Sequence, residues 1–189
     1  MCPTVTWAHS HSYAAATTDF DLTGEVIWPG TDIMGYFLVL YGKHYLQGKS
    51  CCELGAGAGV AGILAGCFAR TLTLTDHNSS VTALLRRNID ANKSLFAHMS
   101  APPEAVVLDW GSATPDSIIK THPKGFDVIL GSDVIYSANA IGKLYQTVSA
   151  LLHPAEDACF ILSYVRRWQV VDDAFKAATE ANGFSVEVI

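Results

Sequence analysis

Ser50-Cys51-Cys52-Glu53-Leu54-Gly55-Ala56-Gly57-Ala58-Gly59-Val60 reads as a short buried strand, an acid, a glycine-rich turn and the start of a helix. Gly55, Gly57 and Gly59 remove three β-carbons, so backbone and ligand can approach closely. The helix opening near Val60 turns its free N–H groups toward that ligand. The pattern is ExGxGxG, not the dinucleotide fingerprint GxGxxG/A, whose third small residue falls where this chain has Val60. Glu53, two residues before the first glycine, would repel a pyrophosphate and receive a ligand that carries an ammonium group. The alternative is a glycine-rich turn without a ligand. The strand ends that follow weigh against it.

Thr71 to Thr75 is a second strand, ending at Asp76. Asp76 follows Gly59 by 17 residues (76 − 59), about where a ribose-binding acid belongs in a βαβ unit. Its carboxylate can accept two hydrogen bonds from a vicinal diol. Alternatively Asp76 caps the helix from about Ser79 to Asn92, a task that Asn78 or Ser79 can also perform. Ala105 to Leu108 is a third strand, ending in Asp109-Trp110-Gly111. Asp109 there can accept from an adenine amino group and Trp110 can cover a ring face. An ordinary strand-end turn is the equal alternative. Phe126 to Gly131 is a fourth strand, apolar enough to be buried on both faces, and it runs into Ser132-Asp133-Val134-Ile135-Tyr136. In a doubly wound sheet the first and fourth strands flank the point where the winding reverses, so Asp133 and Tyr136 face the reactive end of the ligand. S-adenosylmethionine, with its amino-acid tail and sulfonium, meets these requirements.

Outside these segments, Gly24 to Ile27 reads as a short strand, broken by Trp28-Pro29-Gly30. A helix follows, about Asp32 to Tyr41, capped by Thr31 or Asp32 and showing Ile33, Phe37, Leu40 and Tyr41 at helical spacing. Trp28 is either core or a wall of the ligand site. Ala158 to Val165 is strand five, with Arg166, Arg167 and Trp168 at its carboxyl end. Val170 to Asn182 is a helix closed by Gly183, and Phe184 to Ile189 reads as strand six.

The chain has 189 residues, half of them hydrophobic and 16% charged, enough for one domain with a core. The net charge is −6, and the 12 basic residues are scattered apart from the Arg86-Arg87 and Arg166-Arg167 pairs, which argues against nucleic acid. An acidic surface suits a basic substrate. The five cysteines form no disulfide framework, which implies a reducing intracellular compartment, the cytoplasm or the nucleus. No basic-then-apolar leader opens the chain, and the run from Ile33 to Tyr41 is too short to span a membrane. His9 and His11 read as a surface tail, so no metal site is expected.

The succession of ExGxGxG, a strand ending in Asp, one ending in Asp-Trp and one ending in Asp-x-x-Tyr resembles the class I, seven-strand S-adenosylmethionine-dependent methyltransferases. More narrowly it resembles the non-histone protein lysine methyltransferases, marked by an [Asp/Glu]-x-x-[Tyr/Phe] motif after strand four, here Asp133-Val134-Ile135-Tyr136. Val26 to Gly30, Cys52 to Gly57, the Asn88 and Asn92 pair and Leu108 to Gly111 carry the same resemblance. It implies a three-layer αβα, Rossmann-like, doubly wound and mostly parallel sheet over residues 24–189, after a loosely ordered segment 1–23. The family fold ends in a hairpin of strands six and seven; with Ile189 falling about where strand six ends, the last strand is expected to be missing, replaced or carried by a longer chain. The resemblance assigns Glu53, Gly55 and Gly57 to the methionine part of the cofactor, Asp76 to the ribose, and Asp109 and Trp110 to the adenine. Trp28 and Ser132 complete the wall, and Asp133 and Tyr136 border the target amine. The implied activity is N-methylation of a lysine on another protein. The rival readings are a small-molecule N-methyltransferase and a module that binds the cofactor without turnover.

Overall fold

A computed structural model describes residues 20–189. The tail read as loosely held, with His9 and His11, falls largely outside the described residues. Five strands form one parallel sheet: β1 (Ser50–Leu54), β2 (Thr71–Asp76), β3 (Glu104–Val107), β4 (Val128–Ser132) and β5 (Cys159–Ser163), in the order β3-β2-β1-β4-β5. β1 is central, with Cys51 opposite Leu72 on one side and Val128 on the other. All five of its residues are buried, which is why the stretch reads as a near-continuous apolar run.

Six helices connect and cover the strands: α1 (Pro29–Leu46), α2 (Val60–Ala65), α3 (Ser79–Ala91), α4 (Asp116–Thr121), α5 (Ala138–Leu151) and α6 (Gln169–Ala181). Strand residues alternate between two cores. Cys51, Leu74, Val128 and Leu130 pack with α1, α2 and α3, whereas Cys52, Leu54 and Ile129 pack with α4, α5 and α6. The period of two along each strand thus separates the helices into two layers, and the expected αβα sandwich is the result. Cys51, Cys52 and Cys159 are free thiols.

Three segments differ from expectation. Phe20–Glu25 is a 3-10 helix, not a strand at Gly24 to Ile27. It has no sheet neighbour among the described residues, and the Trp28 indole N–H donates to the Thr23 carbonyl at 3.0 Å, drawing the segment back on itself. The first long helix opens at Pro29, three residues before Asp32, with Trp28 as N-cap. Proline suits that first position because the N–H it lacks would have no helical partner. The buried face of α1 is Gly30, Met34, Leu38, Gly42 and Leu46, while Ile33, Leu40 and Tyr41 of the expected apolar face are exposed. Two apolar stripes compete on this helix, and the one containing glycines is buried, with Gly30 close against Asp133 and Gly42 against the Phe68 ring.

Phe184 to Ile189 forms no strand. Phe184 packs against the Tyr145 ring, and Val186, Val188 and Ile189 are exposed. An alternating apolar pattern makes a strand only where a ladder partner receives it, and none is adjacent among the described residues.

Candidate functional site

The carboxyl ends of the strands open onto a cavity of about 630 Å³. The glycine turn forms its floor. Gly57 sits at φ 54°, and a β-carbon there would come within 2.7 Å of the Gly24 carbonyl oxygen. The left-handed backbone and the close approach of the N-terminal segment both require glycine. Asn88, buried on α3, donates to the Ala58 carbonyl at 2.8 Å and holds the turn from behind.

Asp76 at the tip of β2 accepts from the Gly57 N–H at 3.1 Å and the Asn78 N–H at 3.0 Å. His77 Nδ1 lies 3.3 Å from its Oδ1. These contacts leave carboxylate lone pairs for a ligand, since two oxygens offer about four acceptor positions. The cap of α3 is Asn78, whose side-chain oxygen accepts from the Ser80 and Val81 N–H groups at 2.8 and 3.4 Å. Asp76 is thereby released from the capping task that the sequence left open. Asp109 and Trp110 line the same cavity past β3, and the Trp110 ring lies 3.1 Å from where a Gly55 β-carbon would be.

Beyond β4 stand Ser132, Asp133 and Tyr136, also lining the cavity. Asp133 is a non-glycine residue at positive φ (56°). Its Oδ2 accepts from the Gly30 N–H at 3.2 Å, and the Arg167 guanidinium forks onto both its oxygens at 2.9 Å each. The same guanidinium lies 5.5 Å from the centre of the Trp28 ring. Burial and the Asp76 charge hold the Tyr136 phenol above its usual range.

Nine of the ten expected residues therefore border one cavity: Trp28, Gly55, Gly57, Asp76, Asp109, Trp110, Ser132, Asp133 and Tyr136. Glu53 does not. It is wholly buried beneath the turn, and it touches the cavity wall only through Ser132, whose hydroxyl donates to Oε1 at 3.1 Å. Its Oε2 has no hydrogen-bond partner. Burial pushes the Glu53 carboxyl up to about 8, against the opposing pull of the Ser132 hydrogen bond. Glu53, expected to receive a ligand ammonium, thus does not line the cavity itself, whereas its hydrogen-bond partner Ser132 does. The sequence reading did not assign His77, Lys143 and Arg167, which line the cavity as well. The only sequence signal among the three was the place of Arg167 after strand five.

A family model described as lysine methyltransferase matches residues 14–181. The chain belongs to that family. This member is 28% identical over 181 residues to methyltransferase-like protein 22 of Mus musculus, a match covering 88% of this chain and 44% of that protein. It is 36% identical over 128 residues to protein N-lysine methyltransferase METTL21A of Mus musculus, covering 67% of this chain and 54% of that one. The chain spans about half the length of these curated relatives. Among solved structures, a methyltransferase from Pyrococcus furiosus matches with a TM-score of 0.62 at 20% identity, over 84% of this chain and 75% of that one. That likeness establishes the fold.

Proposed function

We propose that this family member binds S-adenosylmethionine in the strand-tip cavity and methylates a lysine side chain on another protein. The observation that carries the reading is the meeting of a glycine turn, two strand-tip acids and an indole in one cavity of a chain from this family. Relatives bearing the names EEF1A lysine methyltransferase 3 (Xenopus tropicalis) and calmodulin-lysine N-methyltransferase (Arabidopsis thaliana) support a protein acceptor.

The residues present fit the cofactor. The backbone of Gly55, Ala56 and Gly57 lines the cavity without side chains in the way, and Asp76 keeps acceptor capacity toward it. Asp76 would hold the ribose hydroxyls, Trp110 and Asp109 the adenine, and Gly55, Gly57 and Ser132 the methionine part. The cofactor supplies an electrophilic methyl group on a positively charged sulfur. The protein's task is then to bring a neutral amine into line with it and exclude water, so most of the rate comes from positioning. Tyr136 and Trp168, both exposed at the rim, suit a side chain delivered from outside, and the net charge of −6 suits a basic partner.

Two measurements test the reading. Calorimetry should show binding of S-adenosylhomocysteine and none of NAD; the reverse result would return the site to an oxidoreductase. Incubation with methyl-labelled cofactor and a cell extract should place label on lysine side chains of protein. Label found only in small molecules would select the small-molecule alternative.

A further inference from the structure

We propose that Arg167 is a fixed, built-in cation at the acceptor end of this cavity. Asp133 and Trp28 hold its guanidinium where an acceptor ammonium would otherwise dock, so the acceptor nitrogen is admitted uncharged and Asp133 acts only through Arg167. The proposal rests on the methyl-transfer reading above and gives Asp133 a role other than direct contact with the target amine.

The Asp133 side chain is 1% exposed, against 24% for Arg167. Both Asp133 oxygens are taken by the guanidinium fork, and Oδ2 also receives the Gly30 N–H. Paired, charge-assisted bonds of this kind are strong and directional. The surrounding structure is built for the arrangement. The Asp133 N–H donates to the Ser163 carbonyl at 2.7 Å, and the Ser163 hydroxyl donates to the Gly30 carbonyl at 2.6 Å. A β-carbon at Gly30 would lie 2.7 Å from that of Asp133. The start of α1, the tip of β4 and the tip of β5 thus close around one carboxylate. The aromatic face that would receive a substrate cation is also occupied, since Arg167 lies over Trp28.

The remaining ionisable groups around the cavity are Asp76, His77, Asp109, Tyr136 and Lys143. Asp76, His77 and Asp109 belong to the ends of β2 and β3, on the far side of β1 from Asp133 and Arg167. Lys143 comes from α5 and adds positive charge, and Tyr136 is a phenol held protonated. The β4–β5 end therefore offers an incoming amine no open carboxylate of its own, although the Asp76 charge reaches as far as Tyr136. Asp133 offsets part of the Arg167 charge, but the guanidinium is the more exposed partner, so together with Lys143 it disfavours an ammonium and lowers the pKa of a lysine amine from its usual value of about 10.4. A neutral amine can then react directly. Its lone pair forms the new N–C bond as the S–C bond breaks, that bond's electron pair stays on sulfur, and nitrogen afterwards loses its proton to water.

The test uses sinefungin, a cofactor analogue with a primary amine in place of the sulfonium methyl. Its affinity is measured by calorimetry relative to S-adenosylhomocysteine, from pH 7 to pH 9. In the wild type the sinefungin preference should rise with pH as its amine is neutralised. Arg167→Met should raise the preference at pH 7 by about tenfold, as removal of one nearby charge implies. Arg167→Lys should keep the wild-type profile. The double variant Asp133→Asn/Arg167→Met, which leaves no buried charge unpaired, should show a flattened pH dependence. A preference unchanged in both Met variants would overturn the proposal in favour of direct amine binding by Asp133. Failure of S-adenosylhomocysteine to bind the wild type would instead overturn the underlying reading, and this proposal with it.

Discussion

Asp76 and Asp133 are both aspartates at the carboxyl tips of buried parallel strands, yet their surroundings give them opposite capacities. Asp76 is held by backbone N–H groups of its own turn and the glycine turn, which orient it without neutralising it. Asp133 is held by a guanidinium, which does both. A strand-tip acid is therefore not a function in itself. What its lone pairs already receive decides whether it can bind a ligand or only brace the wall. The β2–β3 side keeps carboxylates open toward the cavity, whereas the β4–β5 side has spent its carboxylate on an internal ion pair.

The largest test of this contrast is truncation of each acid. Asp133→Ala strands the Arg167 charge and unties three elements, so chemical denaturation should show a loss of about 3–5 kcal/mol. Asp76→Ala should lose much less stability, about 1–2 kcal/mol, while abolishing most binding of S-adenosylhomocysteine. Equal stability losses would erase the distinction.

Glu53 sharpens the contrast as a buried acid with no guanidinium partner among the described residues, where the Ser132 hydroxyl and the Gly62 backbone only partly offset burial. The folded chain keeps its proton up to about pH 8, whereas an unfolded chain loses it near the ordinary value of 4.5. Between those values the unfolded state binds fewer protons, so this group's stabilising contribution is complete below about pH 4.5 and is lost as pH rises through 8. Glu53→Gln should remove that slope. Its stability relative to wild type should grow by a few kcal/mol, on the order of 3, between pH 5 and pH 8.5 in denaturation profiles. A parallel pair of profiles would mean that Glu53 ionises freely.

Gly57→Ala probes the turn that supports Asp76. The added β-carbon meets a carbonyl and the backbone stays left-handed, so a loss of about 2 kcal/mol is expected with weakened ligand binding. The smallest effect belongs to Asn78→Ala, which removes the α3 cap. It should lower stability by about 1 kcal/mol and Tm by about 2–4 °C, and leave ligand affinity within about twofold. A large drop in affinity would show that the cap also holds Asp76 in place.

Most of the sheet was legible in the sequence because its strands are short apolar runs that end at acids. β1 and β4 are buried on both faces, and such strands announce themselves. The start of α1 and the tail at Phe184 were misread because their patterns fit more than one partner. α1 carries apolar residues on two faces, and packing against α2 as well as β4 and β5 selects the one with Gly30 and Gly42. In the site, residue types and spacing led to the strand tips and hence to nine residues that share a cavity. The spacing placed Glu53 at a tip as well, but alternation along β1 turns its side chain under α2. The Asp133–Arg167 pair spans 34 residues and two strands, and no local pattern announces such a contact.

The central claim is that the strand-tip cavity holds a nucleoside against Asp76 and Trp110 while Asp133 stays paired with Arg167. A crystal structure with S-adenosylhomocysteine tests it most directly. The account predicts ribose hydroxyls within hydrogen-bonding distance of the Asp76 carboxylate, adenine against the Trp110 ring and an intact Asp133–Arg167 fork. A ligand seated elsewhere, or one whose binding draws Asp133 away from Arg167, would contradict it.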